Sequence, residues 1–197
     1  MTAESVLALF RATGALLEGH FRLSSGLHSN GYMQCAIVLQ DPARASELGA
    51  ALAGAVRALS PTVVLSPALG GIVIGHEVAR ALGVRAIFAE RVDAHLLLRR
   101  GFSLAPTDRV LVVEDVVTTG KSTKETMLVA EQAGATVVGA ASIVDRSGGR
   151  TDVGVPFSAL AAIDLPIWDP AACPLCAQQV PVVKPGSRPT PPPTHAG

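Results

Sequence analysis

The chain is short of cysteine, of net charge, of long apolar runs and of lysine. Its three cysteines, Cys35, Cys173 and Cys176, are an odd number and too few for a disulfide scaffold, which fits a reducing compartment. Sixteen basic residues offset sixteen acidic ones, so the formal net charge is zero. That argues against a protein that coats nucleic acid or anionic lipid, because both rely on summed positive charge, and leaves room for a local anion site. The strongly apolar stretch Ala135 to Val144 is ten residues long, against roughly 20 for a bilayer span. The start of the chain has Glu4 and only a short apolar run, Val6 to Phe10, and so lacks the basic and apolar parts of a secretory signal. A soluble, cytoplasmic protein without a membrane or nucleic-acid partner is expected. Lysine is confined to Lys121, Lys124 and Lys184. Composition bias accounts for this, yet it limits where a lysine-dependent step can sit.

What is present suits one compact domain: 197 residues, 49% hydrophobic and 16% charged. At that size roughly 70% of the extended chain's surface is buried on folding, enough for a core without staples. Helical spacing marks Ala3 to Leu17, Pro42 to Leu59, Ile72 to Leu82 and Thr123 to Ala133, with Asp41 and Pro42 as N-cap and first-turn proline of the second. Short apolar runs at Thr62 to Leu65, Arg85 to Ala89, Val110 to Val113, Thr136 to Val144 and Ala159 to Ile163 read as strands buried on both faces. The alternation predicts an α/β domain around a mostly parallel sheet flanked by helices. Its core is expected at about 42–165, with a small hood from about 1–41 and 166–184. The stretch 185–197, with five prolines, is expected to be a disordered tail.

The chemistry concentrates in Val110-Leu-Val-Val-Glu-Asp-Val-Val-Thr-Thr-Gly-Lys-Ser-Thr123. Gly120-Lys121-Ser122 invites a P-loop reading, but that motif needs a glycine where Asp115 stands. A monophosphate with a diol beside it fits better. Thr118, Thr119, Ser122 and Thr123, with the free N–H groups of a helix start, form an anion site. Glu114 and Asp115, at a strand's carboxyl end, can accept hydrogen bonds from vicinal ribose hydroxyls. A pair of acidic N-cap residues before an ordinary helix is the alternative.

This segment resembles the phosphoribosyl pyrophosphate (PRPP) motif of the type I phosphoribosyltransferases. Other segments are similar to the orotate branch of that family, in the version of Thermus-like bacteria: Gly19 to Ser29, Ser66-Pro-Ala-Leu-Gly-Gly-Ile72, Phe88-Ala-Glu-Arg91 with Leu98 to Phe102, Val144-Asp-Arg-Ser147, and Cys173-Pro-Leu-Cys176 with Val183 to Ser187. The resemblance runs from about residue 5 to residue 188. It implies transfer of the 5-phosphoribosyl group from PRPP to orotate, giving orotidine 5′-monophosphate and pyrophosphate in pyrimidine biosynthesis, with Mg²⁺ bound mainly through PRPP and pyrophosphate. It also implies a homodimer with shared active sites. A phosphoribosyltransferase for another base and a PRPP-sensing regulator are the alternatives.

By the same resemblance, Leu69, Gly70 and Gly71 belong to the pyrophosphate turn, where two glycines let backbone N–H groups approach an anion. Glu114, Asp115, Val116, Val117, Thr118, Thr119, Gly120, Lys121 and Ser122 bind PRPP. Arg146 holds the orotate carboxylate, for which a planar guanidinium is suited, and Thr118 makes a second orotate contact. Ser24, Ser25 and Gly26, with Tyr32 and Met33, enclose the pyrimidine ring. Many relatives have lysine where this chain has Ser25, so one charge contact is absent. The loop from Glu90 to Phe102 resembles the mobile catalytic loop. Arg91 matches its pyrophosphate-contacting arginine, but Val92 and His95 stand where the family places lysines. Arg91, His95 and Asp115 are therefore the catalytic candidates, with Arg99 and Arg100 as further sources of charge. A neutral imidazole, with its usual pKa of about 6.5, supplies full charge only if the bound anion raises that value.

Cys173 and Cys176 have metal-ligand spacing, yet one CxxC offers two ligands where structural zinc takes four. His20, His28 and Cys35 would complete a set only by accident of folding. Packing within the hood is the expectation for the two cysteines, ahead of zinc or a redox dithiol, and no residue is assigned as a metal ligand.

Overall fold

The structure is a computed structural model that describes residues 1–23 and 25–185. Ser24 of the expected base-enclosing loop lies outside the described residues, as does the expected tail from residue 186 on. In chain order the elements are α1 (Ala3–Ala12), β1 (Leu16–Arg22), β2 (His28–Met33), α2 (Ala36–Leu39), α3 (Pro42–Val56), β3 (Val63–Pro67), α4 (Gly71–Leu82), β4 (Arg85–Val92), β5 (His95–Leu98), β6 (Arg109–Val117), α5 (Lys121–Gln132), β7 (Thr136–Asp145), β8 (Phe157–Ala162), β9 (Ile167–Trp168) and α6 (Pro174–Ala177). The chain clusters into two compact units: Met1–Leu16 with Met33–Asp164, and Leu17–Tyr32 with the segment from Leu165 on. The sequence reading placed all of 1–41 in the hood, whereas α1 and residues 33–41 cluster with the core.

The first unit is built on a sheet with strand order β5-β4-β3-β6-β7-β8 among the described residues. All neighbours are parallel except β5, which runs antiparallel to β4. The apolar strands are buried on both faces, as parallel sheets require. Val63 and Leu65 join Val110, Val112, Met127 and Ala130 in one cluster, while Val64 points the other way, to Gly75 of α4. The crossover from β3 through α4 steps to β4 on one side, and that from β6 through α5 steps to β7 on the other. With right-handed crossovers the two helices lie on opposite faces. The loops after β3 and β6, neighbouring strands in register from Val63↔Val110 to Leu65↔Val112, therefore diverge and leave a crevice at their carboxyl ends, where α/β sheets bind ligands.

Three elements differ from expectation. Helix α1 stops at Ala12, because Gly14 takes a positive φ of 73° and Leu16 and Leu17 enter β1. Strand β6 continues past Val113 to Val117, because it pairs with β7 as far as Val117↔Asp145. Glu114 and Asp115 are strand residues, as expected, but two further strand residues follow them. The segment after Arg91, expected as a loop, is a hairpin: Val92 pairs with His95 and Ala89 with Leu98. Asp93 and Ala94 at its tip both have positive φ, 46° and 73°, the backbone of a two-residue hairpin turn matched to strand twist. Leu96 is buried in the apolar cluster and holds the edge strand down.

The second unit is a small sheet of order β1-β2-β9 among the described residues, with His28↔Trp168 and Ser29↔Ile167 pairing β2 and β9 antiparallel. The Arg22 N–H donates to the Val183 carbonyl at 2.9 Å, and the Val183 N–H to the His20 carbonyl at 2.8 Å.

Candidate active site

The loop after β6 opens α5 at Gly120, whose φ of 72° favours glycine, and no side chain caps the helix. Its first-turn N–H groups face an open pocket of about 270 Å³ lined by Arg91, Val116, Thr118, Thr119, Gly120, Lys121, Ser122 and Glu125. Hydroxyls, a helix N-terminus and two cationic side chains converge there, a setting for a phosphate monoester. The expected anion-binding residues Val116 and Thr118 to Ser122 are brought together. Val117 is buried beneath the loop, and its carbonyl accepts from the Arg146 N–H at 2.8 Å.

The two adjacent carboxylates do different things. Glu114 is 5% exposed and accepts hydrogen bonds from Ser122 Oγ at 2.7 Å and from Thr123 Oγ1. Alternation along β6 turns it to the first turn of α5, where these two hydroxyls hold it in the unliganded chain. Burial raises its carboxyl above the ordinary range, opposed by those hydroxyl donors. Asp115 points to the opposite side, where the backbone N–H groups of Val116 and of Asp115 itself favour its ionised form. It lines a second cavity of about 420 Å³ with Gln34, Ala36, Leu39, Gln40, Leu69, Gly70 and Val73. Burial raises its pKa as well.

Gly70 and Gly71 enter α4 directly from β3, through a cis peptide bond between Ala68 and Leu69. A Cβ on Gly70 would stand 2.8 Å from both carboxylate oxygens of Asp115, so a side chain here would displace the carboxylate. Leu69 is exposed at the mouth.

Arg146 follows β7. Its Nε and Nη2 are buried and have no hydrogen-bond partner, and burial works against its charge, lowering its pKa. An unpaired buried guanidinium is costly unless something binds it. Asp145 builds the turn that presents it, accepting from the Ser147 N–H at 2.8 Å and from Thr151 Oγ1 at 3.3 Å. Cys35 is buried within the field of both Asp115 and Arg146, and burial followed by the Asp115 charge pushes its thiol well up, so it is protonated.

On the hairpin, Arg91 donates to Glu125 at 2.5 Å and to the Ala94 carbonyl at 2.6 Å. The Arg91 guanidinium holds the Glu125 carboxyl below the ordinary range, with weaker help from Lys121 and His95. Arg100 and Arg99 pair with Glu90 at 2.6 Å and 3.6 Å. His95 is exposed and lines a separate small cavity with Leu97, Glu125 and Leu128. The structure thus brings Arg91 into the phosphate pocket of its own chain and leaves His95 outside it.

Of the residues expected to enclose the base, Met33 is buried at the end of β2. Tyr32 is half-buried with its ring 6.0 Å from that of Phe21, and Ser25 Oγ accepts from the Leu27 N–H at 3.5 Å in an exposed turn.

Comparison with known proteins decides the family. Residues 35–169 match the model of the phosphoribosyl transferase domain. The chain belongs to that family. It is 52% identical over 188 residues to an orotate phosphoribosyltransferase of Pelotomaculum thermopropionicum, covering 95% of this chain and 99% of that one. It is 54% identical over 182 residues to one of Carboxydothermus hydrogenoformans, covering 91% and 95%. Among solved structures, the orotate phosphoribosyltransferase of Aeropyrum pernix superposes with a TM-score of 0.63 at 28% identity, covering 80% of this chain and 93% of that one. This phosphoribosyltransferase therefore has its family's mostly parallel α/β fold, with the phosphate loop after β6 at the switch point of the sheet.

Two residues were missed by sequence reasoning. Glu125 looks like any solvent-facing helix carboxylate four residues after Lys121, and Asp145 like an ordinary strand-end acid. Only the pairing of each shows its role.

Proposed function

We propose that this protein transfers the 5-phosphoribosyl group of PRPP to orotate, forming orotidine 5′-monophosphate and pyrophosphate for pyrimidine biosynthesis. The observation that supports this best is Arg146: a guanidinium with two buried, unpaired nitrogens beside the phosphate loop is a receptor for a carboxylate, and orotate carries one where uracil does not. The 5-phosphate sits among Thr118 to Ser122 at the N-terminus of α5. The ribose hydroxyls face Asp115, and the pyrophosphate lies on the Leu69 to Gly71 turn. As the bond from ribose C1 to pyrophosphate breaks, pyrophosphate leaves with the electron pair and the ribose becomes oxocarbenium-like. The orotate ring nitrogen then forms the new bond and gives up its proton. The residues contribute alignment and charge rather than covalent chemistry.

Mg²⁺ fits this site. Asp115 offers a hard carboxylate donor beside the cavity and, with the substrate phosphates, would hold the ion, which would supply positive charge against the departing pyrophosphate. Release of pyrophosphate and consumption of orotate, with PRPP and Mg²⁺ supplied, is the direct test. No orotate consumption by folded protein overturns the reading.

A homodimer with shared sites forms a further part of the proposal. Arg91 is tethered to Glu125 of its own chain, so acting across an interface requires the hairpin to leave that tether. Mixing Arg91→Ala with Asp115→Asn subunits, each inactive alone, restores activity if one site per hybrid has both parts intact. No recovery after verified subunit exchange means that Arg91 acts within its own chain.

A further inference from the structure

The second unit has almost no apolar interior. Among its described residues the buried apolar side chains are Phe21 and Cys173, and the rest of its interior includes His20, His28 and Ser29. Units this small need a staple beyond hydrophobic burial. At the place where such a staple would act, His20 on β1, His28 on β2, and Cys173 and Cys176 around α6 converge. Their four ligand atoms all lie within 4.8 Å of one another.

Three of the separations match those around one ion. A tetrahedral Zn²⁺ with bonds of about 2.0–2.1 Å to nitrogen and 2.3 Å to sulfur sets its ligand atoms roughly 3.3–3.8 Å apart. Cys173 Sγ is 3.5 Å from His20 Nε2, Cys176 Sγ is 3.8 Å from the same nitrogen, and Cys176 Sγ is 3.3 Å from His28 Nδ1. The two ring nitrogens stand 2.8 Å apart, a few tenths inside that range. A modest outward shift of one ring places an ion among all four.

Proton bookkeeping gives an independent argument. His20 Nδ1 lies 2.8 Å from the Val180 carbonyl. A carbonyl accepts only, so this nitrogen carries the proton. In the neutral ring Nε2 is then a bare lone pair aimed at the cluster. A backbone carbonyl fixing the outer nitrogen of a metal-bound histidine is the usual support for such a ligand. Three of the four ligands are nearly sealed: His20 is 3% exposed, His28 6% and Cys173 3%, while Cys176 is exposed and gives the ion a way in. Cys173 and Cys176 are free thiols rather than a disulfide.

We propose that His20, His28, Cys173 and Cys176 bind a structural Zn²⁺ that clips the β1 and β2 strands to the segment around α6. Binding replaces the two thiol protons by the metal and releases them to solvent, with no change of oxidation state. The set has no open coordination position, so the ion holds the unit together and takes no part in the transfer reaction. Soft thiolates with imidazoles in tetrahedral array select zinc over Mg²⁺, which keeps this site apart from the Mg²⁺ proposed for the substrate site.

The test is metal content and coordination of the full chain, expressed with zinc in the medium and purified without chelator or a histidine tag. One zinc per chain is expected, with X-ray absorption showing two sulfur and two nitrogen neighbours. Cobalt exchanged into the site should give tetrahedral d–d bands and thiolate-to-cobalt charge transfer. The Cys173→Ser, Cys176→Ser double variant should lose at least about nine-tenths of the zinc, the loss expected when half of a four-ligand set is removed, while Cys35→Ser keeps it. If the double variant does not fold, the wild-type absorption spectrum still decides, because sulfur neighbours in a ratio of two to two can come only from these cysteines or from Cys35. Folded protein without zinc, a Cys173–Cys176 disulfide, or zinc retained in the double variant overturns the proposal.

Discussion

At the carboxyl ends of β6 and β7, Asp115 and the Nε and Nη2 of Arg146 have no side-chain partner among the described residues, whereas on and just after the β4–β5 hairpin Arg91, Arg99 and Arg100 have one each. Arg146 leaves two buried nitrogens unpaired, and at Asp115 backbone N–H groups alone offset part of the burial that raises its pKa. By contrast Arg91 is tied to Glu125, and Arg99 and Arg100 to Glu90. On the proposed reading the first arrangement is a receptor: the folded sheet has already met the desolvation cost, and a ligand recovers it. The second is a latch, since the hairpin's charge reaches an anion only after leaving a carboxylate. On the proposed reading, base and ribose recognition are built into the sheet, and charge for the leaving group into an element that must change partners.

The largest effect is expected at the receptor end. Arg146→Ala should lower kcat/KM for orotate by about 2–5 kcal/mol, the range for truncating one member of a buried charged pair, while PRPP affinity changes little. Equal losses for both substrates in steady-state kinetics would show that Arg146 is not a base-specific contact. Next comes Asp115→Asn, expected to weaken PRPP binding by about 1.5–3 kcal/mol, as for a lost hydrogen bond to a charged group. Because burial raises the Asp115 pKa, its ionised form is lost at a higher pH than for an ordinary carboxylate. PRPP affinity should therefore fall as pH is lowered through that raised value, and the fall should flatten in Asp115→Asn. Titration calorimetry across the acid range reads both.

The latch predicts smaller effects of opposite sign. Glu125→Gln frees Arg91 and should tighten PRPP binding by up to about 1 kcal/mol, the ceiling for exposed ion pairs. A weakened affinity would mean that Glu125 positions Arg91 rather than restraining it. The smallest change is expected for His95→Ala. Its side chain lies outside the phosphate pocket, so turnover should fall no more than a few-fold, and less than in Arg91→Ala.

These contrasts were unevenly legible in the chain. The sheet was readable from its strands, because runs such as Val110 to Val113 are apolar on both faces and bounded by turn residues, the signature of buried parallel strands. The loop after β6 stood out because two carboxylates followed by hydroxyls and a glycine have few uses other than a phosphate and ribose site. The motif could not distinguish Glu114 from Asp115, since the difference is the alternation of β6 beyond Val113, set by pairing with β7. Strand β5 was hidden because Leu96, Leu97 and Leu98 form a short run flanked by charge, and its turn, Asp93-Ala94, has no glycine. The Cys₂His₂ cluster was hidden by distance: Cys173 is 153 residues from His20, and no local spacing joins a CxxC to histidines at the other end of the chain.

The preformed receptor at Arg146 is tested most directly by base discrimination, with initial rates for orotate and uracil measured at saturating PRPP and Mg²⁺ in the parent protein and in Arg146→Ala. Orotate should be strongly preferred by the parent, and the preference should collapse in the variant through loss of orotate turnover. Comparable rates for the two bases in the parent, or an undiminished preference in Arg146→Ala, would contradict it.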